Sequence, residues 1–316
     1  MRISASVSSV EYRFLATSVS KLDAAGVDFY HLDSIEDRRI FDFAKTLRKL
    51  TQKPFDLHLI TSDPVKYWDD IRASDISEVT IQLESLHVPL FVPDDLKSRV
   101  GVALLSNKQA DFFKLHLKTA PSLLLMTTTP GKSGGKFSRN QFGNIMRYRL
   151  LYPNVLATVD GGVTGEVASV LAFMGVSRVV SGSYIVSTEN MVERVHALRS
   201  DLPVSLRLDE VILAEPEILK DFTLRISETG IIVSASGEIS KGEIISPWLD
   251  VIGAKTVAGE TGTHSLIWVN ENIPLESLRT IYNQMEVKPD LVISINDDKQ
   301  PTGIFCLPSY QNTKKI

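Results

Sequence analysis

The chain has 316 residues, 43% hydrophobic and 23% charged, the make-up of a globular protein long enough for a large barrel and a smaller module. A formal net charge of -4 supplies no global field that would draw it to nucleic acid or an anionic membrane surface. The single cysteine, Cys306, excludes an intramolecular disulfide, and "MRISASVSSVEYRF" at the N-terminus lacks an apolar block, so a cytoplasmic protein is expected.

Short β-branched runs recur along the first two thirds, at 3–7, 29–33, 55–60, 78–83, 99–105, 122–127, 154–160 and 178–182. Helical patterns lie between them. In "YRFLATSVSKLDAAG", Phe14, Leu15, Val19 and Leu22 form the apolar face and Gly26 is the terminator. "VKYWDDIRAS" reads as a helix started by Asp63-Pro64. "TGEVASVLAFMG" reads as another, with Thr164 as cap and Gly175 as stop; the apolar stretch it opens is broken by Glu166 and Arg178 and fits a buried helix and strand rather than a membrane span. Eight strand–helix units predict a (β/α)8 TIM barrel, an α/β fold. A doubly wound open sheet shows the same alternation, but no dinucleotide-type glycine fingerprint follows the first strand.

Beyond a junction at 200–216 the pattern changes. "FTLRISETGIIVSASG" reads as two strands around a Thr-Gly turn, "THSLIWVNENI" and "DLVISIND" as further strands. "PLESLRTIYNQM" reads as a helix starting at Pro274 with Leu275, Leu278, Ile281 and Met285 on one face. A small α+β domain over 201–316 is therefore expected after a barrel over 1–200. Its role is open: oligomer contacts or partner docking first, effector binding or substrate gating second.

Catalytic groups of such barrels sit at the C-terminal ends of the strands. His31 and Asp33 are two apart and share a face of the second strand. His58 lies near the end of the third and Asp160 ends the seventh. Any one of them alone reads as a polar strand end; together they form a mixed N/O set suited to one divalent transition metal, whether Zn, Fe, Mn or Co. A metal there polarises a ketone and its neighbouring hydroxyl, while one carboxylate removes the proton alpha to the carbonyl and the other returns one to the opposite face. "DGGV" and "SGSY" end the last two strands, and the backbone of Gly161, Gly162, Gly182 and Ser183 is suited to hold a phosphate. "MTTTPGKS" nearly fits a nucleotide P-loop, but Met126 stands at the first glycine position; the richer reading is a loop closing over substrate, with Lys132 or Lys136 near an anion or simply solvated.

Over residues 1–198 these segments together resemble the ribulose-phosphate 3-epimerase family: "ISASVSSVE", "HLDSIED", "DLHLI", "PGKSGG", "VDGGV" and "SGS". The resemblance implies that His31, Asp33, His58 and Asp160 are metal ligands, that Asp33 and Asp160 are also the acid–base pair, and that Ser6, Met126, Gly134, Gly161, Gly162, Gly182 and Ser183 bind substrate. It implies a sugar phosphate as the small-molecule partner, a pentose phosphate pathway role, one divalent metal ion as cofactor, and a homo-oligomer as a possible state. The chain departs from the family pattern at Ala5, Ile35, Glu36-Asp37, Ile60, Leu105-Ser106 and Lys132, all at the pocket or its lid. The expected activity is inversion at C3 of a phosphorylated ketose, ribulose 5-phosphate first and allulose 6-phosphate as the variant. A non-catalytic sugar-phosphate sensor and a lyase or decarboxylase on the same barrel are the competing readings.

Overall fold

Eight apolar runs become eight parallel strands, each followed in the chain by a turn or helix. A computed structural model of the chain describes all residues except 109–115, 117–118, 153, 201–205, 213–222, 228–229, 235–252, 260–261, 287, 297–300 and 310–316. The strands are β1 (Arg2–Ser6), β2 (Phe29–Ile35), β3 (Phe55–Ile60), β4 (Glu78–Gln82), β5 (Val100–Leu105), β6 (Ser122–Met126), β7 (Leu156–Asp160) and β8 (Arg178–Ser181). They pair in order, and β1 closes on β8, so the sheet is a barrel rather than an open doubly wound sheet. Such strands are buried on both faces, which is why they read as near-continuous apolar runs. No helix among the described residues is long and apolar enough to cross a membrane.

Helix α1 (Tyr12–Ala24) buries Leu15, Ser18, Val19 and Leu22. Phe14, expected on that face, is instead 52% exposed. At about 100° per residue, Leu15, Ser18, Val19 and Leu22 share one stripe and Phe14 falls outside it, so small Ser18 takes the inward place. Gly26 ends the turn at φ +80, a conformation that costs a side chain strain. The single helix expected after Asp63-Pro64 is two pieces: a 3-10 turn over Pro64–Tyr67, capped by Asp63 accepting from the Val65 N–H, then α3 (Trp68–Ala73). It follows α2 (Arg39–Arg48) in the chain. Thr164 and Gly175 bracket the helical stretch between β7 and β8 as expected, its helix running Gly165–Phe173.

At the end of β2 the chain turns through Glu36, whose φ of 50 is uncommon for a residue with a side chain. Its carboxylate repays the strain by accepting from Ser62 N (2.6 Å), Ser62 Oγ (2.8 Å), Thr61 Oγ1 (2.9 Å) and Tyr67 Oη (3.1 Å). The backbone N–H of Ser62, before its hydroxyl, holds the Glu36 pKa down at about 2. This clasp ties the rim of β2 to that of β3. Replacing Glu36 by alanine is expected to cost about 1–2 kcal/mol in urea unfolding at neutral pH.

By contacts the chain divides into two units, residues 1–138, 155–169 and 176–201, and residues 139–154, 170–175 and 202–316. The second contains an antiparallel pair, β9 (Thr223–Ser227) with β10 (Gly230–Ser234), and a four-stranded sheet, β11 (Gly253–Gly259), β12 (Gly262–Asn270), β13 (Leu291–Ile295) and β14 (Pro301–Cys306). β12 and β13 are parallel, linked by the helix Leu275–Gln284, which buries Leu275 and Leu278. Phe305 packs on Phe173 with ring centroids 5.5 Å apart, and the Cys306 N–H donates to Met146 Sδ at 2.9 Å. Burial raises the Cys306 thiol pKa to about 12, so this cysteine is a packing residue rather than a reactive one.

Candidate metal centre and active site

Register brings the predicted residues together. His31 of β2 lies opposite Asp56 of β3, Asp33 opposite His58, and Met126 of β6 opposite Asp160 of β7. One ligand atom each from His31, Asp33, His58 and Asp160 lies within 4.8 Å of the others. Both imidazoles are buried. The carboxylates face a cavity of about 680 Å³, which Ser6, Met126, Gly134, Gly161, Gly162, Gly182 and Ser183 also line. His31 and His58 stand behind it and do not reach its wall.

The hydrogen bonds around the two rings fix which nitrogen is free. His31 Nδ1 is 3.1 Å from Asp56 Oδ2, a partner that can only accept, so this nitrogen carries the proton. His31 Nε2 then offers a lone pair; it is buried and makes no hydrogen bond among the described residues, although Asp33 Oδ1 is 3.4 Å and Asp160 Oδ2 3.8 Å away. His58 Nε2 lies 2.7 Å from Gln82 Oε1, while its Nδ1 is 3.2 Å from Asp33 Oδ1. The Gln82 orientation is held by its amide donating to Glu84 Oε2 at 2.5 Å. Two imidazole lone pairs thus face two carboxylates. That arrangement is repulsive until a proton or a cation sits among them, and the donor set fits a divalent transition metal.

The electrostatics agree. Burial alone would lower the His31 pKa, but Asp33 and Asp56 outweigh it and hold the ring well above 6.5. Burial would raise Asp33, but His31 and His58 keep it far below the ordinary carboxylate range. Burial pushes Asp160 up to about 6. Two carboxylates on one cavity therefore have opposite proton affinities, the pattern seen where acid and base work is divided.

The glycine segments are packed too tightly for side chains. A Cβ on Gly161, at φ +119, would come within 2.5 Å of Thr128 Oγ1, and one on Gly162 within 2.3 Å of the Phe137 N. The loop 131–137 is thereby seated on the end of β7, with Thr127 Oγ1 donating to the Gly161 carbonyl at 2.6 Å. Lys132 and Lys136 both line the cavity. No helix opens at "GKS"; the next begins at Asn140, which removes the P-loop reading. Ile35 and Ile60 abut Gly131, so these departures from the family pattern touch the loop 131–137. A Gly162→Ala change must displace the loop backbone and is expected to lower kcat/KM for a sugar phosphate about 10–100-fold, with the fold retained by circular dichroism.

Asp56, Gln82 and Thr127 were not singled out from the sequence. Asp56 carried a usable signal, since it precedes His58 by two and shares its strand face.

Fold and cluster define a (β/α)8-barrel protein with a two-histidine, two-carboxylate site at the C-terminal rim. The chain belongs to the ribulose-phosphate 3-epimerase family, whose model matches residues 2–186, and it is thus an isomerase of the epimerase class. It is 27% identical over 223 residues to the ribulose-phosphate 3-epimerase of Methanocaldococcus jannaschii, covering 66% of this chain and 94% of that protein. It is 24% identical over 213 residues to that of Synechocystis, covering 63% and 93%. Among solved structures, a 3-hexulose-6-phosphate synthase from Salmonella typhimurium is similar with TM-score 0.49 and 13% identity over 63% of this chain and 96% of that one.

Proposed function

We propose that this chain is a divalent-metal-dependent epimerase that inverts C3 of a phosphorylated ketose, interconverting D-ribulose 5-phosphate and D-xylulose 5-phosphate. The observation that carries the reading is the juxtaposition of two inward imidazole lone pairs with Asp33 and Asp160 on one cavity. His31, Asp33, His58 and Asp160 would hold the metal, and backbone N–H groups of Gly161, Gly162, Gly182 and Ser183 the phosphate. When bound there, a divalent metal would supply Lewis acidity toward negative charge developing on the substrate's oxygens. Asp33 and Asp160 stand on strands separated by β1 and β8, so one reaches each face of C3. One carboxylate takes the C3 proton, an enediolate forms, and the other returns a proton to the opposite face. The pair titrates as a coupled unit. Ser6 and Met126 border the reacting carbons, and Gly134 belongs to the lid. Residues 1–200 carry the epimerase site in this reading, and 201–316 contribute an α+β module with which 139–154 and 170–175 group.

Incubation of the metal-loaded protein with ribulose 5-phosphate in heavy water tests it. Deuterium at C3 with formation of xylulose 5-phosphate is the expected result. Tight binding without exchange would replace the enzyme by a sensor. A longer phosphorylated ketose such as allulose 6-phosphate is the alternative substrate to compare, since Ile35 and Ile60, where the family pattern differs, pack against Gly131 of the loop. A higher kcat/KM for that sugar would assign it.

A further inference from the structure

Below the metal cluster the barrel interior is charged, which is unusual for a layer ordinarily filled by Val, Ile and Leu. Arg178, the first residue of β8, has a side chain only 4% exposed. Its Nη2 is 2.6 Å from Glu78 Oε2 at the start of β4 and 3.8 Å from Asp56 Oδ2. Its Nε donates to Thr158 Oγ1 at 3.2 Å, and its guanidinium lies over the Phe29 ring, 4.3 Å from the centroid. Asp56 in turn accepts from Ser4 Oγ at 2.6 Å and from His31 Nδ1 at 3.1 Å. An unbroken line of charge and hydrogen bonds thus runs from Glu78, 27% exposed, through Arg178 and Asp56 to His31.

Burying a carboxylate and a guanidinium is costly, and apolar residues of like volume would ordinarily stabilise this layer better. The arrangement therefore calls for a task beyond packing. Asp56 accepts from one ring nitrogen, which leaves the opposite nitrogen directed at Asp33 and Asp160 as the one that takes up a proton or a cation. Its negative charge also makes that nitrogen a stronger donor. Arg178 acts on Asp56 through charge at 3.8 Å, its hydrogen bonds going to Glu78 and Thr158, so Asp56 is steadied without being fully neutralised.

We propose that Asp56 and Arg178 are positioning residues for the metal centre: Asp56 sets the tautomer and donor strength of His31, and Arg178, balanced by Glu78, fixes Asp56 beneath it. The inference rests on the metal-site reading above, and the test separates the two. Metal-free full-length protein is titrated with cobalt(II), following the visible ligand-field bands and the affinity. If the wild-type chain binds no cobalt, the metal-site reading itself falls. If it does, Asp56→Asn, which keeps the shape and the bond from the ring but removes the charge, should weaken binding about 10–100-fold. Glu78→Gln, at the exposed end, leaves Arg178 to neutralise Asp56 and should weaken it several-fold in the same direction. Arg178→Gln should shift the cobalt bands, because the ring support is no longer fixed. Variants that unfold more easily but bind cobalt with wild-type affinity and spectrum would overturn the proposal and leave these residues a purely structural role. Should Asp56→Asn fail to fold, the Glu78→Gln titration decides it alone.

Discussion

Asp160→Asn is expected to slow epimerisation by about 10²–10⁴-fold in kcat, measured with saturating metal and substrate. The amide keeps the shape of the side chain and one potential ligand oxygen but can neither accept nor return the C3 proton. Burial raises the pKa of Asp160 to about 6 in the metal-free chain, the opposite direction from Asp33. Asp33 is held ionised by His31 and His58, and Asp33→Asn should lose comparable turnover together with metal affinity. Metal content read alongside the kinetics separates the two effects. Either asparagine variant keeping wild-type turnover with metal in place would remove the two-carboxylate mechanism.

Stripping the metal with a chelator is expected to abolish turnover, with divalent Zn, Fe, Mn or Co restoring it, and the restoration should depend on pH. In the metal-free protein His31 is held well above 6.5, so a proton occupies the place a cation would take. Metal affinity should therefore rise as pH is raised through that elevated value, with protons released on binding. The same shift affects stability. The folded pKa of His31 lies above its unfolded value, so its contribution is fully present below about 6.5 and is lost as pH rises through the folded pKa. Metal-free protein should thus lose thermal stability on the alkaline side, and the metal-loaded protein should not, because the cation replaces the proton. Calorimetry of both forms across pH checks this. Equal alkaline profiles would sink the account of the cluster.

Strand periodicity, the two-residue spacing of His31 and Asp33, and the glycines at 26, 161, 162 and 175 are local features, and local sterics decide them. The barrel, its eight strands and the strand-end placement of His31, Asp33, His58 and Asp160 were legible for that reason. So were the helix at Leu275 and the strands at 223–227, 230–234, 262–270 and 291–295. Strands β11 and β14 were passed over, since "GAKTVAG" is glycine-flanked and "PTGIFC" begins at proline and carries a glycine, signals of turns rather than strands.

By itself, then, the sequence determined which segments are strands and which polar side chains stand at their ends, because each depends on neighbours a few residues away. Only the tertiary structure decided that His31 Nδ1 meets Asp56, that Arg178 joins Glu78 across 100 positions of chain, and that residues 139–154 and 170–175 group with the C-terminal sheet. Those facts depend on barrel closure and on burial. A side chain's proton and partner are set by what surrounds it in space, and no spacing along the chain encodes that.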